Sequence, residues 1–240
     1  MSFFNNLPNP GPDGPAPYTV AIKRLALEGD GVGRIVSGGD MQGKVAFVPY
    51  TLPDETVAAQ PLEEKKTYLR CVPLQLLESS PDRITPSCPY HFASQTTGLW
   101  CGGCNWQHMK AETQRAWKKA LVRETLQRLG HLSECPDIDL LHTEKDWRYR
   151  NTAQFAFDRR DGAPVAGYFA PGSHSVISIE DCLIQSPIAL RILATVRRIL
   201  PELGLQPFER KEGRGWLKHL LIRSNEQGEA LIALITGDDR

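Results

Sequence analysis

Four thiols define the chemistry this chain could carry. Three lie close together, as Cys88-x12-Cys101-Gly102-Gly103-Cys104, and Cys182 lies far downstream. Two thiolates in a C-x2-C turn can hold one metal ion or cluster with little backbone strain. The two glycines between them leave the backbone free to turn its N–H groups toward sulfur. Four thiolates complete either a tetrahedral zinc site or a [4Fe–4S] cluster. The spacing does not choose between these, and on residue type alone Cys182 is as readily a bystander as a fourth ligand. Cys71, in the apolar run LRCVPL, reads as an inert buried thiol, and Cys135 before Pro136 reads as a loop bystander.

The stretch that carries these thiols, SSPDRITPSCPYHFASQTTGLWCGGCNWQ, has no strand or helix periodicity. Such a segment is organised by a ligand rather than by a core of its own. Before it, residues 18–79 hold five short runs (YTVAIKRLALEG, GVGRIV, KVAFVPY, ETVAAQ and KTYLRCVPLQLLE) rich in Val, Tyr, Phe and Thr and separated by Gly and Pro turns. Five such strands predict a small closed barrel of the OB type, because closure removes exposed sheet edges. After the thiols, Trp117, Leu121, Val122, Leu126 and Leu129 recur on one face of a predicted helix over 109–129, with Gly130 as its stop.

Residues 138–240 then alternate between runs. TAQFAF, PVAGYF and SVISI predict strands. Ser186-Pro187 opens a helix with the stripe Ile188, Ile192, Val196 and Ile199, and WLKHLLIRS and EALIALIT predict a hairpin around 225–228. The expected fold class is therefore mixed: an N-terminal OB-like β-barrel followed by an α+β domain, with a cysteine-ligated site between them in sequence. The segments are a flexible tail over 1–17, the barrel over 18–79, the thiol segment over 80–108, a helical linker over 109–137 and the α+β part over 138–240.

Composition sets outer limits. The chain has 240 residues, 28 basic and 28 acidic side chains, and 41% apolar residues, as in ordinary globular proteins. No apolar run approaches the roughly 18–20 residues of a membrane span, and the N-terminus lacks a secretory pattern. A cytoplasmic location is the expectation, where cysteines serve as metal ligands or free thiols more often than as disulfides. The overall basic balance of many nucleic-acid binders is missing, although residues 105–128 hold six Lys or Arg against two Glu.

These motifs, in this order, resemble the RNA uridine-5-methyltransferases of the TrmA/RumA family, in the branch with an N-terminal TRAM domain and an iron–sulfur cluster. GDGVGRIVSGG followed by VAFVPYTLPDETV is similar to the TRAM pattern. SPDRITPSCP and CGGCNWQHM resemble the cluster segment, WRYRNTAQF the family's YRN segment, and GYFAPGSHSVISIEDCLI the strand that brings in the last cysteine. The resemblance covers residues 18 to about 236. It departs from the family in two places. Twelve residues separate Cys88 from Cys101 where five are usual, and LPDE replaces LPGE.

The resemblance implies a [4Fe–4S] cluster on Cys88, Cys101, Cys104 and Cys182, with zinc as the alternative. It implies RNA as partner, with large-subunit ribosomal RNA the first expectation, and S-adenosylmethionine as methyl donor. In the family a cysteine thiolate adds to uridine C6, C5 takes the methyl group and a base removes the C5 proton. No cofactor-type Gly-rich turn or nucleophile motif stands in this chain. The expectation is therefore that the catalytic domain is missing and that its own continuation or a separate chain supplies it, with no catalytic residue among these 240. Candidate RNA contacts are Lys23, Arg24, Arg34 and Lys44 on the barrel, Trp106 and His108 beside the cluster, Arg148 and Arg150 in the YRN match and, more weakly, His174. Trp117 and Leu121 are expected to form an exposed apolar patch if the catalytic domain is absent. The rival reading is a standalone RNA-binding module with a structural four-cysteine metal site.

Overall fold

The computed structural model describes residues 16–94, 99–143, 145–160, 162–209 and 212–237. Most of the expected tail, and residues 95–98 between Cys88 and Cys101, lie outside the described residues. The chain divides into two compact units. One comprises Met1–Leu99 and Cys104–His142, the other Trp100–Gly103 and Thr143–Arg240.

In the first unit, β1 (Tyr18–Leu25), β2 (Gly31–Ser37), β3 (Val45–Val48), β4 (Thr56–Glu64) and β5 (Tyr68–Glu78) close into a barrel in the order β1-β2-β3-β5-β4. The pair β3–β5 is parallel and the other pairs are antiparallel. Alternation puts Val20, Ile22, Leu25, Ile35, Val57 and Leu69 inside. A register shift between Ile22 and Arg24 breaks the alternation of β1, so Lys23 and Arg24 are both exposed. The LPDE turn tolerates the loss of its glycine. Asp54 takes the left-handed conformation itself, at φ 64°, which Asp adopts more readily than most residues.

The predicted helix forms as α1 (Ala111–Arg128). Its stripe divides. Trp117 packs with Trp106 against buried Leu25, Leu52 and Met109, and Leu121 is buried, whereas Val122, Leu126 and Leu129 remain exposed. The expected exposed patch at Trp117 and Leu121 is thus corrected: those two face the barrel, and the open apolar surface lies around the helix from them.

The second unit is a five-stranded antiparallel sheet in the order β10-β9-β6-β7-β8. Its strands are β6 (Thr152–Arg160), β7 (Ala163–Phe169), β8 (Val176–Ser178), β9 (Leu217–Ser224) and β10 (Ala230–Thr236). The helix α2 (Pro187–Ile199) packs on β7 and β9. Its start follows the expected chemistry: the Ser186 side chain accepts the Ala189 N–H at 3.2 Å and Pro187 takes the first helical position. Leu193 of α2 is buried, as are Phe155, Ile179, Leu217 and Leu220 of the same unit. The protein is mostly sheet with few helices. Among the described residues no helix is long and apolar enough to cross a membrane.

Candidate functional site

In the first unit the irregular segment is tied to the barrel by a buried ion pair. Glu55 follows the left-handed Asp54 and is 1% exposed. Its carboxylate accepts from Arg83 Nε at 2.5 Å and Nη2 at 2.8 Å, from the Leu52 N–H at 2.8 Å and from the Ser80 N–H at 3.4 Å. Arg83 also donates to the Tyr50 carbonyl at 2.8 Å. A buried charge survives only when it is paired and hydrogen-bonded in this way. Further along, Trp106 Nε1 donates to the Gly29 carbonyl at 3.0 Å and Asn105 Nδ2 to the Glu28 carbonyl at 2.9 Å. Gly29 has φ 99°, and a Cβ there would stand 2.7 Å from Trp106 Nε1. Glycine is required on both counts.

Cys88 and His108 lie inside this knot. Cys88 is buried, and its carbonyl accepts the His91 N–H at 3.2 Å. Tyr50 stacks on Phe92 at 4.4 Å, and the His91 and His108 rings stand 5.8 Å apart. Burial, with Arg83 nearby, pushes the His91 imidazole down to about 4. Burial, then Arg83 and His91, holds His108 well below the ordinary imidazole range. His108 is 0% exposed, and neither ring nitrogen has a hydrogen-bond partner among the described residues. The expected RNA contacts at Trp106 and His108 therefore change character. Trp106 commits its N–H and much of its ring to packing, and His108 has no surface that RNA could reach.

In the second unit the C-G-G-C turn begins against β7. Gly102 donates to the Phe169 carbonyl at 2.9 Å, and the Gly103 N–H donates to Cys101 Sγ at 3.4 Å. Half-buried Tyr168 accepts from Gln185 Nε2 at 2.5 Å. Its phenol is pushed far up, first by burial and then by Cys182, with Cys101 adding to the effect. Arg148, at φ 58°, forks onto Asp181 at 2.7 and 2.8 Å and donates to the Cys182 carbonyl at 2.8 Å. The hydrogen bond from Arg148 holds Asp181 below the usual carboxylate range. Arg148 therefore shapes the Cys182 turn. The Arg150 N–H donates to the Ile184 carbonyl at 2.8 Å, and its guanidinium lies in electrostatic reach of Tyr168. His174 packs edge-on to Phe169 at 5.7 Å.

Cys71 and Cys88 are buried, and Cys101, Cys104, Cys135 and Cys182 are half-buried. Among the described residues no group of three or more His, Cys, Asp and Glu comes together to hold a metal ion. Of the four expected ligands, Cys101 and Cys182 share the neighbourhood of Tyr168. Burial alone pushes the Cys71 thiol up to about 11, which keeps it protonated and inert, as its apolar run predicts.

The barrel cations differ in availability. Lys23 and Arg34 are exposed, and Arg34 donates to the Gly43 carbonyl at 2.6 Å. Arg24 pairs with Glu124 at 3.2 Å and Lys44 with Glu64 at 2.8 Å. Exposed pairs of this kind are worth little and can exchange for a phosphate. Sequence reasoning missed Glu55, Arg83, Asp30 and Arg70. The LPDE match contained a signal for Glu55, whose invitation to bury a carboxylate is visible only once its partner is placed.

No protein-family model matches the chain. It is 31% identical over 218 residues to a protein of Halalkalibacterium halodurans named an uncharacterized RNA methyltransferase, covering 90% of this chain and 45% of that protein. A Nostoc protein of the same description is 35% identical over 221 residues, covering 91% of this chain and 45% of its own length. The chain thus spans slightly under half the length of these relatives. In fold it is similar to the crystal structure of the Pyrococcus abyssi tRNA (uracil-54, C5)-methyltransferase in complex with S-adenosyl-L-homocysteine. The TM-score is 0.63 at 17% identity, over 92% of this chain and 46% of that one.

Proposed function

We propose that these residues are the RNA-gripping and thiol-bearing part of an RNA methyltransferase of the TrmA/RumA family, acting on uridine C5. The observation that carries this reading is similarity over nine-tenths of the chain to proteins named RNA methyltransferases. The strand order β1-β2-β3-β5-β4 supports an OB-type TRAM barrel, a fold suited to single-stranded nucleic acid. Lys23 and Arg34 then meet phosphates directly, while Arg24 and Lys44 exchange their carboxylate partners for them. Ribosomal RNA is the first target to try. S-adenosylmethionine is the donor for the whole protein, and the relatives have further length in which donor binding and the nucleophile can lie.

In this reading Cys88, Cys101, Cys104 and Cys182 are the four thiol donors that a [4Fe–4S] cluster takes. A backbone N–H, that of Gly103, already points at Cys101 sulfur, as it would at a cluster thiolate. When bound, the cluster would supply a structural cross-link for a segment with no strand or helix of its own. It would carry no electron, because methyl transfer to uridine needs none.

Two measurements test the reading. After anaerobic purification, about four iron and four sulfide per chain, lost in Cys182→Ser, is the expected result. One zinc and no sulfide sinks the cluster. Fluorescence anisotropy should show the chain binding a single-stranded RNA 20-mer, with Lys23→Ala and Arg34→Ala each lowering the salt slope by about one. An unchanged slope removes the barrel as the RNA surface.

A further inference from the structure

A cavity of about 320 Å³ opens in the first unit between the barrel and α1. That is the size of a small-ligand pocket rather than of an extended groove. Leu25 and Leu121 line its apolar part, and Phe47 adds an aromatic ring. Three guanidiniums, of Arg24, Arg70 and Arg128, meet three carboxylates, of Glu28, Asp30 and Glu124. The lining is formally neutral, so a free polyanion gains little there. A flat, neutral, hydrogen-bonding heterocycle fits better.

The charged groups of the lining fall into two sets. In one, Glu124 takes both Arg24, at 3.2 Å, and Arg128, at 3.0 Å. The other set is Asp30 and Arg70. Arg70 Nη1 lies 3.7 Å from the Asp30 carboxylate and its Nε lies 3.9 Å from Glu63, both beyond hydrogen-bond reach. Among the described residues neither side chain makes a hydrogen bond. The guanidinium is held over the Phe47 ring at 5.8 Å, which fixes its position without using its donors. The Asp30 side chain is only 25% exposed. Burial raises its carboxyl above the ordinary range, as for a carboxylate short of partners.

A guanidinium and a carboxylate side by side offer a donor next to two acceptor oxygens. Guanine presents the complement along one edge: the O6 acceptor, then the N1–H and N2–H donors. Adenine and cytosine each present one amino donor beside acceptors, and uracil a single N–H between two acceptors. We infer that this cavity is a guanine-reading subsite, with Arg70 on O6, Asp30 on N1–H and N2–H, and Phe47 against the base. The inference rests on the RNA reading above and adds a base preference to it.

Fluorescein-labelled RNA pentamers test it by anisotropy on the full 240-residue chain. UUGUU should bind at least tenfold tighter than UUAUU or UUUUU. Replacing the guanine with inosine, which lacks the N2 amine, should remove most of that preference with no change to the protein. Asp30→Asn should bring UUGUU to the level of UUAUU and leave UUUUU unchanged. A purely electrostatic role predicts the opposite, because losing an anion would strengthen binding to every pentamer. Equal binding of all three pentamers overturns the subsite and leaves the RNA reading standing. A preference that survives inosine or Asp30→Asn also overturns it. No binding of any pentamer overturns both.

Discussion

The residues that matter most for holding the thiol segment in place are not thiols. The side chains of Arg83 and Glu55 are 3% and 0% exposed, so each supplies the other with compensating charge at that depth. Arg83→Met strands a buried carboxylate, and the expected cost is about 3–5 kcal/mol. Urea denaturation measures it, and the double variant Glu55→Gln with Arg83→Met should recover part of the loss. Asp54 makes a smaller test of the same turn. Its left-handed φ of 64° should accept Asp54→Gly without loss. Asp54→Val should cost about 1–2 kcal/mol, because a β-branched side chain clashes there.

The elements were legible where pattern alone determines them. The five apolar runs of residues 18–79 became β1 to β5 because alternation needs only one buried face. Ser186 and Pro187 announced α2 because a cap and its first turn are neighbours in sequence. The fate of α1 was not legible. Trp117 finds its partners at Leu25 and Leu52, and nothing local in the helix names those residues. The same holds for Trp106, whose partner is Gly29, and for the Asp30–Arg70 pair of the cavity. Long-range pairing is what a single sequence hides. At this scale the tightest spot is Gly167 in β7, where a Cβ would stand 1.8 Å from the Ile177 carbonyl oxygen. Gly167→Ala should push β8 away from β7, and faster amide exchange at Phe169 and Ser178 would report it.

For the molecule as a whole, acidity is the lever. The His91 imidazole falls from about 6.5 in the unfolded chain to about 4 in the fold. Between those values the unfolded chain holds a proton that the folded chain does not, so stability is lost as pH drops through that window. Buried His108 shifts in the same direction and adds to the loss. The His91 share is a fall of roughly 2 kcal/mol between pH 7 and pH 5, and His91→Gln, which cannot titrate, should remove that share and leave the contribution of His108. A last consequence concerns the order in which the protein is made. The Gly102 N–H has its partner on Phe169, and residues 100–103 belong with the later unit. On the ribosome this turn emerges long before β7 exists to receive it. The Cys101 sulfur therefore waits, open to oxidants, until β7 has been synthesised. A nascent chain arrested ahead of β7 should label at Cys101 faster than the finished protein.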